Sequence, residues 1–360
     1  MSGTSMDAID TALVEINGND LVVLQYRQYP IPSAVQTAVR KVTVQTSLEQ
    51  ITELDVILGE LFADAVSAIL ALSGLTPAAI TATGSHGQTV MHLPTGSYPR
   101  TLQIGDPARI AVKTGITTVA DFRRNDIAAG GQGAPLACAF HAWRFRTAER
   151  DRVVLNLGGI ANITVLPARS DREITGFDTG PGNGLMDSWV QLHQQRDFDT
   201  DGAWAASGQA DPQLLGLMLA DPYFSKHPPK STGKDDFNTG WLSAKLNMTG
   251  RQIEPANVQA TLLELTARSV STAIAQNAAA TTEVLVCGGG VHNRMLLQKL
   301  KEYMPERTIV PTDHYGVSAD AVEAVTFAWL AKCRLEQLPA NLPAVTGASR
   351  QVILGAIYCS

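Results

Sequence analysis

Apolar residues rich in β-branched and aromatic side chains run over 11–15 (TALVE) and 21–30 (LVVLQYRQYP), with the turn signal Asn17-Gly18-Asn19-Asp20 between them, and this pattern predicts a β-hairpin. The period then lengthens. Ile51, Leu54, Leu58, Leu61, Ala65, Ile69 and Leu72 recur at three- and four-residue steps until Gly74, which predicts a long helix with one apolar stripe, entered through a capping box at Thr46 and Glu49. Short strands over 79–83 and 116–120, alternating with a helical segment over 107–113, extend this into a mixed α/β layer.

The pattern then restarts. Residues 152–157 (RVVLNL) and 160–166 (IANITVL) predict a second hairpin turning at Gly158-Gly159, and a strand over 173–177 runs into DTGPGN. A helix over 184–194, an irregular segment around 221–240 and an amphipathic helix over 257–277 follow. An apolar strand over 283–287 then leads through Gly288-Gly289-Gly290 into a helix from Asn293, with a strand over 308–310 and a helix over 320–336 after it. Hairpin-then-α/β therefore occurs twice, which predicts a two-lobed α/β protein. The expected boundaries are 1–125 for the first domain, 126–336 for the second, and a 337–360 tail packing back on the first.

Composition narrows the function. With 45% apolar and 17% charged residues the chain has ample core material, and 28 Lys and Arg against 34 Asp and Glu leave a net charge of -6. That balance gives no footprint for nucleic acid or an anionic membrane, so an anionic ligand must be held by local groups. Cys138, Cys287, Cys333 and Cys359 lack CxxC or zinc-ligand spacing and read as reduced thiols. No signal peptide or long uninterrupted apolar run is seen, and the expected location is the cytoplasm.

Three glycine turns could bring successive main-chain N–H groups onto phosphate oxygens without a basic patch: Gly3-Thr4-Ser5, Gly158-Gly159 and Gly288-Gly289-Gly290. Each could equally serve a tight turn. GxxxxGK[ST], HExxH and GxSxG are absent, and Gly288 to Asn293 lacks GxGxxG spacing. Asp178 ends an apolar strand and opens a glycine-flanked loop, where a carboxylate could take a proton from water or a hydroxyl during phosphate transfer; capping a turn is the competing role for it and for Asn183. Asp7 and Asp10 could orient Mg²⁺ through water or merely stabilise a turn, so the metal ligands stay unknown. His86, Gln88 and Arg123, in the clusters at 84–92 and 121–133 that follow strand ends, and Asn183 are the candidate substrate contacts; for His86, which has no catalytic partner spacing, a satisfied core histidine is the competing reading, and spacing alone does not say which of Arg123 and Arg124 points inward.

Taken in order, MSGTSMDAID (1–10), GSHGQTVMH (84–92), DFRRNDIAAGGQGAPL (121–136), NLGGIANIT (156–164), FDTGPGN (177–183), DPYFSKHPPKSTG (221–233), EPANVQATLLELTA (254–267) and CGGGVHNRML (287–296) closely resemble the anhydro-N-acetylmuramic acid kinases of bacteria. These are a branch of the actin-like sugar kinase and Hsp70 superfamily. The resemblance implies a two-lobed actin-like, ribonuclease H-like fold with an active site in the interdomain cleft, and use of ATP and Mg²⁺. It further implies hydrolytic opening of 1,6-anhydro-N-acetylmuramic acid with phosphorylation of O6, giving N-acetylmuramic acid 6-phosphate in peptidoglycan recycling. A kinase for another sugar or carboxylate acceptor, or a non-catalytic ATP-dependent clamp, would carry similar nucleotide loops.

By the same match, Asp178 activates water at the anomeric carbon, and Gly3, Thr4, Ser5, Met6, Asp7, Ala8, Ile9 and Asp10 wrap the ATP phosphates. Gly158 and Gly159 form the second phosphate turn, Gly288, Gly289 and Gly290 lie by the nucleoside, and Glu323 matches a glutamate near the nucleotide. A homodimer is expected. Members of the family carry an apolar strand leading into MSGTS, whereas this sequence opens at Met1 inside that motif.

Overall fold

A computed structural model describes residues 1, 6 and 8–360. Its first strands are β1 (Ala8–Asn17), β2 (Asp20–Pro30), β3 (Thr83–Gly84), β4 (Gln88–Leu93), β5 (Arg100–Ile104) and β6 (Thr118–Ala120). They are followed by β7 (Arg152–Leu157), β8 (Ile160–Leu166), β9 (Thr175–Pro181), β10 (Glu283–Cys287), β11 (Thr308–Pro311) and β12 (Ala356–Tyr358). The chain divides into two compact units, residues 1–144 with 321–360 and residues 145–320. This moves the expected boundary at 125/126. The Ala137–Phe145 and Val322–Leu335 helices both pack in the first unit, where Trp329 lies 6.0 Å from Phe140 and 5.7 Å from Trp143 between ring centroids. Aromatic burial outweighs nearness in sequence here.

The second unit has one five-stranded sheet in the order β11-β10-β7-β8-β9. β7, β8 and β9 form an antiparallel meander, while β10 runs parallel to both β7 and β11. Counted within the unit this is the order 5-4-1-2-3 with the second strand reversed, the ribonuclease H-like arrangement. β10 is buried at every position, which is why its sequence EVLVC reads as an unbroken apolar run rather than an alternation. The Pro255–Asn277 helix packs on this sheet through Leu262, Leu265 and Ile274, and each such fully buried side chain contributes about 1.5–3 kcal/mol.

The first unit has its strands in smaller groups: the hairpin β1-β2, the hairpin β4-β5 and a three-stranded sheet β12-β6-β3. β1 and β2 meet around Gly18-Asn19, with a bulge between Leu13 and Val14. The Leu48–Ser73 helix is long and apolar enough to cross a membrane, but Leu54, Leu58 and Phe62 are buried with Ile9, Ile31 and Ile110 in a protein core. Its capping box is one residue later than expected. Ser47 accepts the Gln50 amide at 3.2 Å and Gln50 accepts the Ser47 amide at 3.2 Å, because Thr46 is already engaged by the Thr43 amide at 2.9 Å.

Two further expectations change. The strand placed over 79–83 shrinks to Thr83–Gly84, since Pro77 starts a 3₁₀ turn through Ala79. Conversely, the polar GSHGQTVMH stretch contributes β4, whose antiparallel partner β5 the sequence reading left out.

Candidate functional site

Asp178 lies in the middle of β9, not at the end of a strand as the sequence suggested, because β9 stays paired with β8 as far as Pro181. The neighbour of Asp178 across the ladder is Asn162, and the next pair is Ala161 with Gly180, so Thr179 is the extra residue of a bulge. Such an insertion bends the strand and re-aims the side chain beside it. Carboxylate oxygen Oδ2 accepts the Thr232 amide at 2.9 Å, and no hydrogen bond to Oδ1 is formed among the described residues. The Asp178 amide donates to the Lys230 carbonyl at 3.2 Å, and the Tyr223 hydroxyl donates to the Asp178 carbonyl at 2.6 Å. Burial pushes the carboxyl up from 3.8 to about 6, opposed by the one Thr232 hydrogen bond, while part of the residue stays open to solvent. A capping role does not fit. The Asp178 side chain receives its bond from a segment some fifty residues away, and the Gly184–Gln194 helix has no side-chain cap at Asn183.

Residues 221–240, irregular in the sequence, are therefore the support of this carboxylate. Burial and the nearby Asp178 raise the Tyr223 phenol, keeping it a donor, and the Lys230 ammonium stands 4.7 Å from the Tyr223 ring centroid. Thr232 is fixed in turn through its hydroxyl, 2.7 Å from Asp236 Oδ2. The only sequence signal for these partners is the motif DPYFSKHPPKSTG itself.

The glycine turns of this unit converge. The Gly159 carbonyl accepts the amides of Gly182 and Gly184, both at 3.1 Å, and the Gly158 carbonyl accepts that of Asn183 at 2.8 Å. Asn183 Nδ2 donates to the Leu157 carbonyl at 3.1 Å, and a Cβ on Gly290 would come within 3.0 Å of that same Nδ2. Asn183 thus joins the segments at 156–159 and 288–290. Glycine is required at 184 for packing, where a Cβ would press the Gly159 carbonyl at 2.9 Å. At Gly159 the situation is opposite: a Cβ would meet nothing nearer than Lys234 Cε at 3.9 Å. Gly159 and Gly289 are exposed, so their main chain is open to a ligand that a side chain would obstruct.

In the first unit the polar candidates interlock. Arg123 donates from Nε (3.0 Å) and Nη2 (2.9 Å) to His86 Nε2, and from Nη1 to the Gly133 carbonyl at 2.7 Å. His86 Nδ1 lies 2.8 Å from the Gly87 carbonyl, which accepts only, so the partners require a neutral ring protonated on Nδ1. Burial, then Arg123, holds the His86 pKa well below its ordinary value. Both ring nitrogens are spent inside the protein, so His86 positions Arg123. The guanidinium, lowered to about 10 by burial, uses three of its five N–H groups in these bonds. Arg124 points outward, exposed, and pairs with Asp121 at 3.4 Å. Gln88 is buried, and its Oε1 has no hydrogen-bond partner among the described residues, an acceptor awaiting a donor.

Asp126, which the sequence reading passed over, is fully buried. It accepts the Gly133 amide, Asn341 Nδ2 and the Thr346 hydroxyl, each at 2.7 Å, and so fixes the loop whose carbonyl holds Arg123. Of the N-terminal candidates, Gly3, Thr4, Ser5 and Asp7 lie outside the described residues. Met6 and Ile9 are buried in the core, so their side chains do not face a ligand, and Ala8 pairs with Pro30. Asp10 Oδ1 is engaged by the Tyr26 hydroxyl (2.6 Å) and Gln28 Nε2 (2.9 Å) across the hairpin. Glu323, at the start of the Val322–Leu335 helix, is exposed at its surface, yet the surrounding protein and then Asp10 raise its carboxyl. Among the described residues no three His, Cys, Asp or Glu gather as a metal cage.

The family profile described as anhydro-N-acetylmuramic acid kinase matches residues 1–360. The anhydro-N-acetylmuramic acid kinase of Coxiella burnetii is 48% identical over 360 residues, covering 99% of this chain and 96% of the relative. That of Vibrio cholerae is 47% identical over 361 residues, at 99% and 96%. Among solved structures, a ROK family glucokinase from Streptomyces griseus, in complex with glucose and AMPPNP, aligns with 90% of this chain and 99% of its own at 16% identity and a TM-score of 0.37.

Proposed function

The chain belongs to the anhydro-N-acetylmuramic acid kinase family, and from that premise we propose how its own residues divide the work of an ATP-dependent kinase. The reaction opens 1,6-anhydro-N-acetylmuramic acid with water and phosphorylates O6, giving N-acetylmuramic acid 6-phosphate for peptidoglycan recycling. Asp178 Oδ1 accepts a proton from water as the water oxygen bonds to C1. The C1–O6 bond breaks, and O6 takes the γ-phosphoryl group as ADP leaves. The proton acceptor is needed only for water, because the departing oxygen is itself the phosphoryl acceptor.

The observation that carries this reading is the half-satisfied Asp178 carboxylate, raised to about 6 and so ionised at neutral pH yet basic enough to accept a proton. The open main chain at Gly159 and Gly289 holds triphosphate oxygens, with Asn183 fixing both turns. The two remaining Arg123 N–H groups meet the lactyl carboxylate and Gln88 Oε1 accepts from a sugar donor. Mg²⁺ fits as an ion carried on the nucleotide: with no side-chain cage among the described residues, phosphate oxygens and water would be its main ligands and Asp10 at most one more. Bound there, it would neutralise phosphate charge. A cytoplasmic location accords with the unbridged cysteines.

The test is turnover in oxygen-18 water with the purified anhydro sugar beside N-acetylmuramic acid. Label on C1 and none in phosphate is expected; label in phosphate, or equal use of the unbridged sugar, sinks the assignment.

A further inference from the structure

Gly159 lies at the turn between β7 and β8, and the space a side chain would take there is bordered by a lysine: a Cβ on Gly159 would stand 3.9 Å from Lys234 Cε. Gly159 and Lys234 are both exposed, and both belong to the second unit. The far end of the Lys234 side chain therefore lies over the open main chain of this turn.

The loop that carries Lys234 is held from several sides. The Gly233 carbonyl accepts the amides of Asp236 at 3.2 Å and Phe237 at 3.1 Å, and Asn238 Nδ2 donates to the carbonyls of Lys234 at 3.2 Å and Asp235 at 2.9 Å. Asn238 also caps the Thr239–Met248 helix, its Oδ1 accepting the Trp241 amide at 3.0 Å. Phe237 is buried, its ring centroid 5.5 Å from that of Tyr223 and 5.0 Å from that of Trp241. A long side chain standing on so fixed a base loses less freedom when it meets a ligand.

Charge makes the position significant. A triphosphate is strongly anionic, and main-chain amides bind its oxygens without neutralising them. The basic residues that follow Gly290 are turned to acids: His292 Nε2 lies 2.9 Å from Asp320 Oδ2, and Arg294 Nε lies 3.1 Å from Asp201 Oδ1. Lys230 is stacked on Tyr223. Lys234 is the basic residue at the Gly159 turn, and Asp236 beside it is engaged by the Thr232 hydroxyl at 2.7 Å.

We propose that Lys234 is the cation of the phosphate site and that its ammonium meets the terminal phosphoryl group of ATP. The assignment rests on the placement of the triphosphate at the Gly159 turn. Asp178 acts at C1, and the O6 released from C1 receives the γ-phosphoryl group. The loop that gives its Thr232 amide to Asp178 thus brings Lys234, next but one in the chain, to the transferred end of the nucleotide. Lysine serves there as a point charge, without the paired geometry an arginine imposes, and its attraction grows as charge spreads over the phosphoryl oxygens during transfer.

The experiment is calorimetric titration of the full chain with AMPPNP and with ADP, Mg²⁺ present, for the parent, Lys234→Met and Lys234→Arg. Binding needs neither the sugar nor a working Asp178, so the result stands apart from the assignment of the general base. Lys234→Met should weaken AMPPNP roughly tenfold or more and ADP by less than about threefold, the retained ADP affinity showing that the variant is folded. Lys234→Arg keeps the charge and should stay within about threefold of the parent for both nucleotides. Equal AMPPNP affinity in the parent and Lys234→Met overturns the proposal; if N-acetylmuramic acid binding weakens instead, the cation belongs to the lactyl carboxylate. An equal loss for both nucleotides also overturns it, because the lysine would then serve an inner phosphate or the scaffold. So does a loss in Lys234→Arg as large as that in Lys234→Met, since fit rather than charge would be responsible. A parent that binds neither nucleotide would refute the placement of ATP itself, and this assignment with it.

Discussion

Asp126 and Asp178 are both carboxylates within regular elements, the Arg124–Ala128 helix of one unit and β9 of the other, and their surroundings differ in one respect. Asp126 is fully buried and accepts three hydrogen bonds of 2.7 Å, from Gly133, Asn341 and Thr346. Asp178 accepts one, from Thr232, and keeps part of its surface in solvent. A carboxylate whose oxygens are saturated by donors is scaffold, because taking a proton would forfeit bonds already made. One left under-satisfied in a partly desolvated place is basic, and the fold supports its cost elsewhere.

The sharpest way to break this contrast is to neutralise each. We predict that Asp178→Asn lowers turnover by about 10²–10⁴ while the protein stays folded; turnover within threefold of the parent ends the case for a general base. Asp126→Ala is predicted to act on stability instead, by about 3–5 kcal/mol from three donors left unpaired. Chemical denaturation measures it, and a loss below 1 kcal/mol would mean the loop does not depend on this residue.

The acid side gives the next test. The folded Asp178 carboxyl holds its proton up to about 6 against 3.8 normally, so between those values the folded state binds more protons than the unfolded one. Stability from this group is thus complete below about pH 4 and declines as pH rises through 6. Asp178→Asn should therefore be more stable than the parent at pH 8, by about 1–3 kcal/mol, and level with it at pH 4. Turnover should fall on the acid side of about pH 6 as the base protonates; a flat profile down to pH 4.5 contradicts the raised value. The smallest effects separate the adjacent arginines. Arg123→Lys cannot bond His86 and Gly133 together and should lower kcat/KM roughly tenfold, with Arg124→Lys within about twofold. Equal losses would erase the distinction between inward and outward.

The second unit was the more legible in sequence. RVVLNL, IANITVL and EVLVC are strands with the expected bounds because burial on both faces, or clean pairing across Gly158-Gly159, leaves a strong apolar signal. The first unit hid more. β4 and β5 carry Gln88, Thr89, His92, Thr101 and Gln103, which obscure the alternation, and the partnership of Val322–Leu335 with residues 1–144 is a contact no local pattern contains. At the site, Asp178 stood out through the apolar run before it and the glycines after it, although the strand continues past it to Pro181. Thr232, Tyr223 and Asp126 did not, since what they do depends on segments distant in the chain. For His86 and Asn183 the sequence did not show the partners the fold supplies: His86 Nε2 accepts from Arg123 and Asn183 Nδ2 donates to the Leu157 carbonyl.

The Gly159 carbonyl receives two amides from the loop that continues directly from Asp178 through Gly182 to Gly184. Asp178 and the hairpin turn are consequently tied through one short run of main-chain hydrogen bonds, so a mutation that shifts one tilts the other. An engineer seeking a new acceptor sugar would do better to leave residues 156–184 untouched and diversify around Gln88 and Arg123, which belong to the other unit.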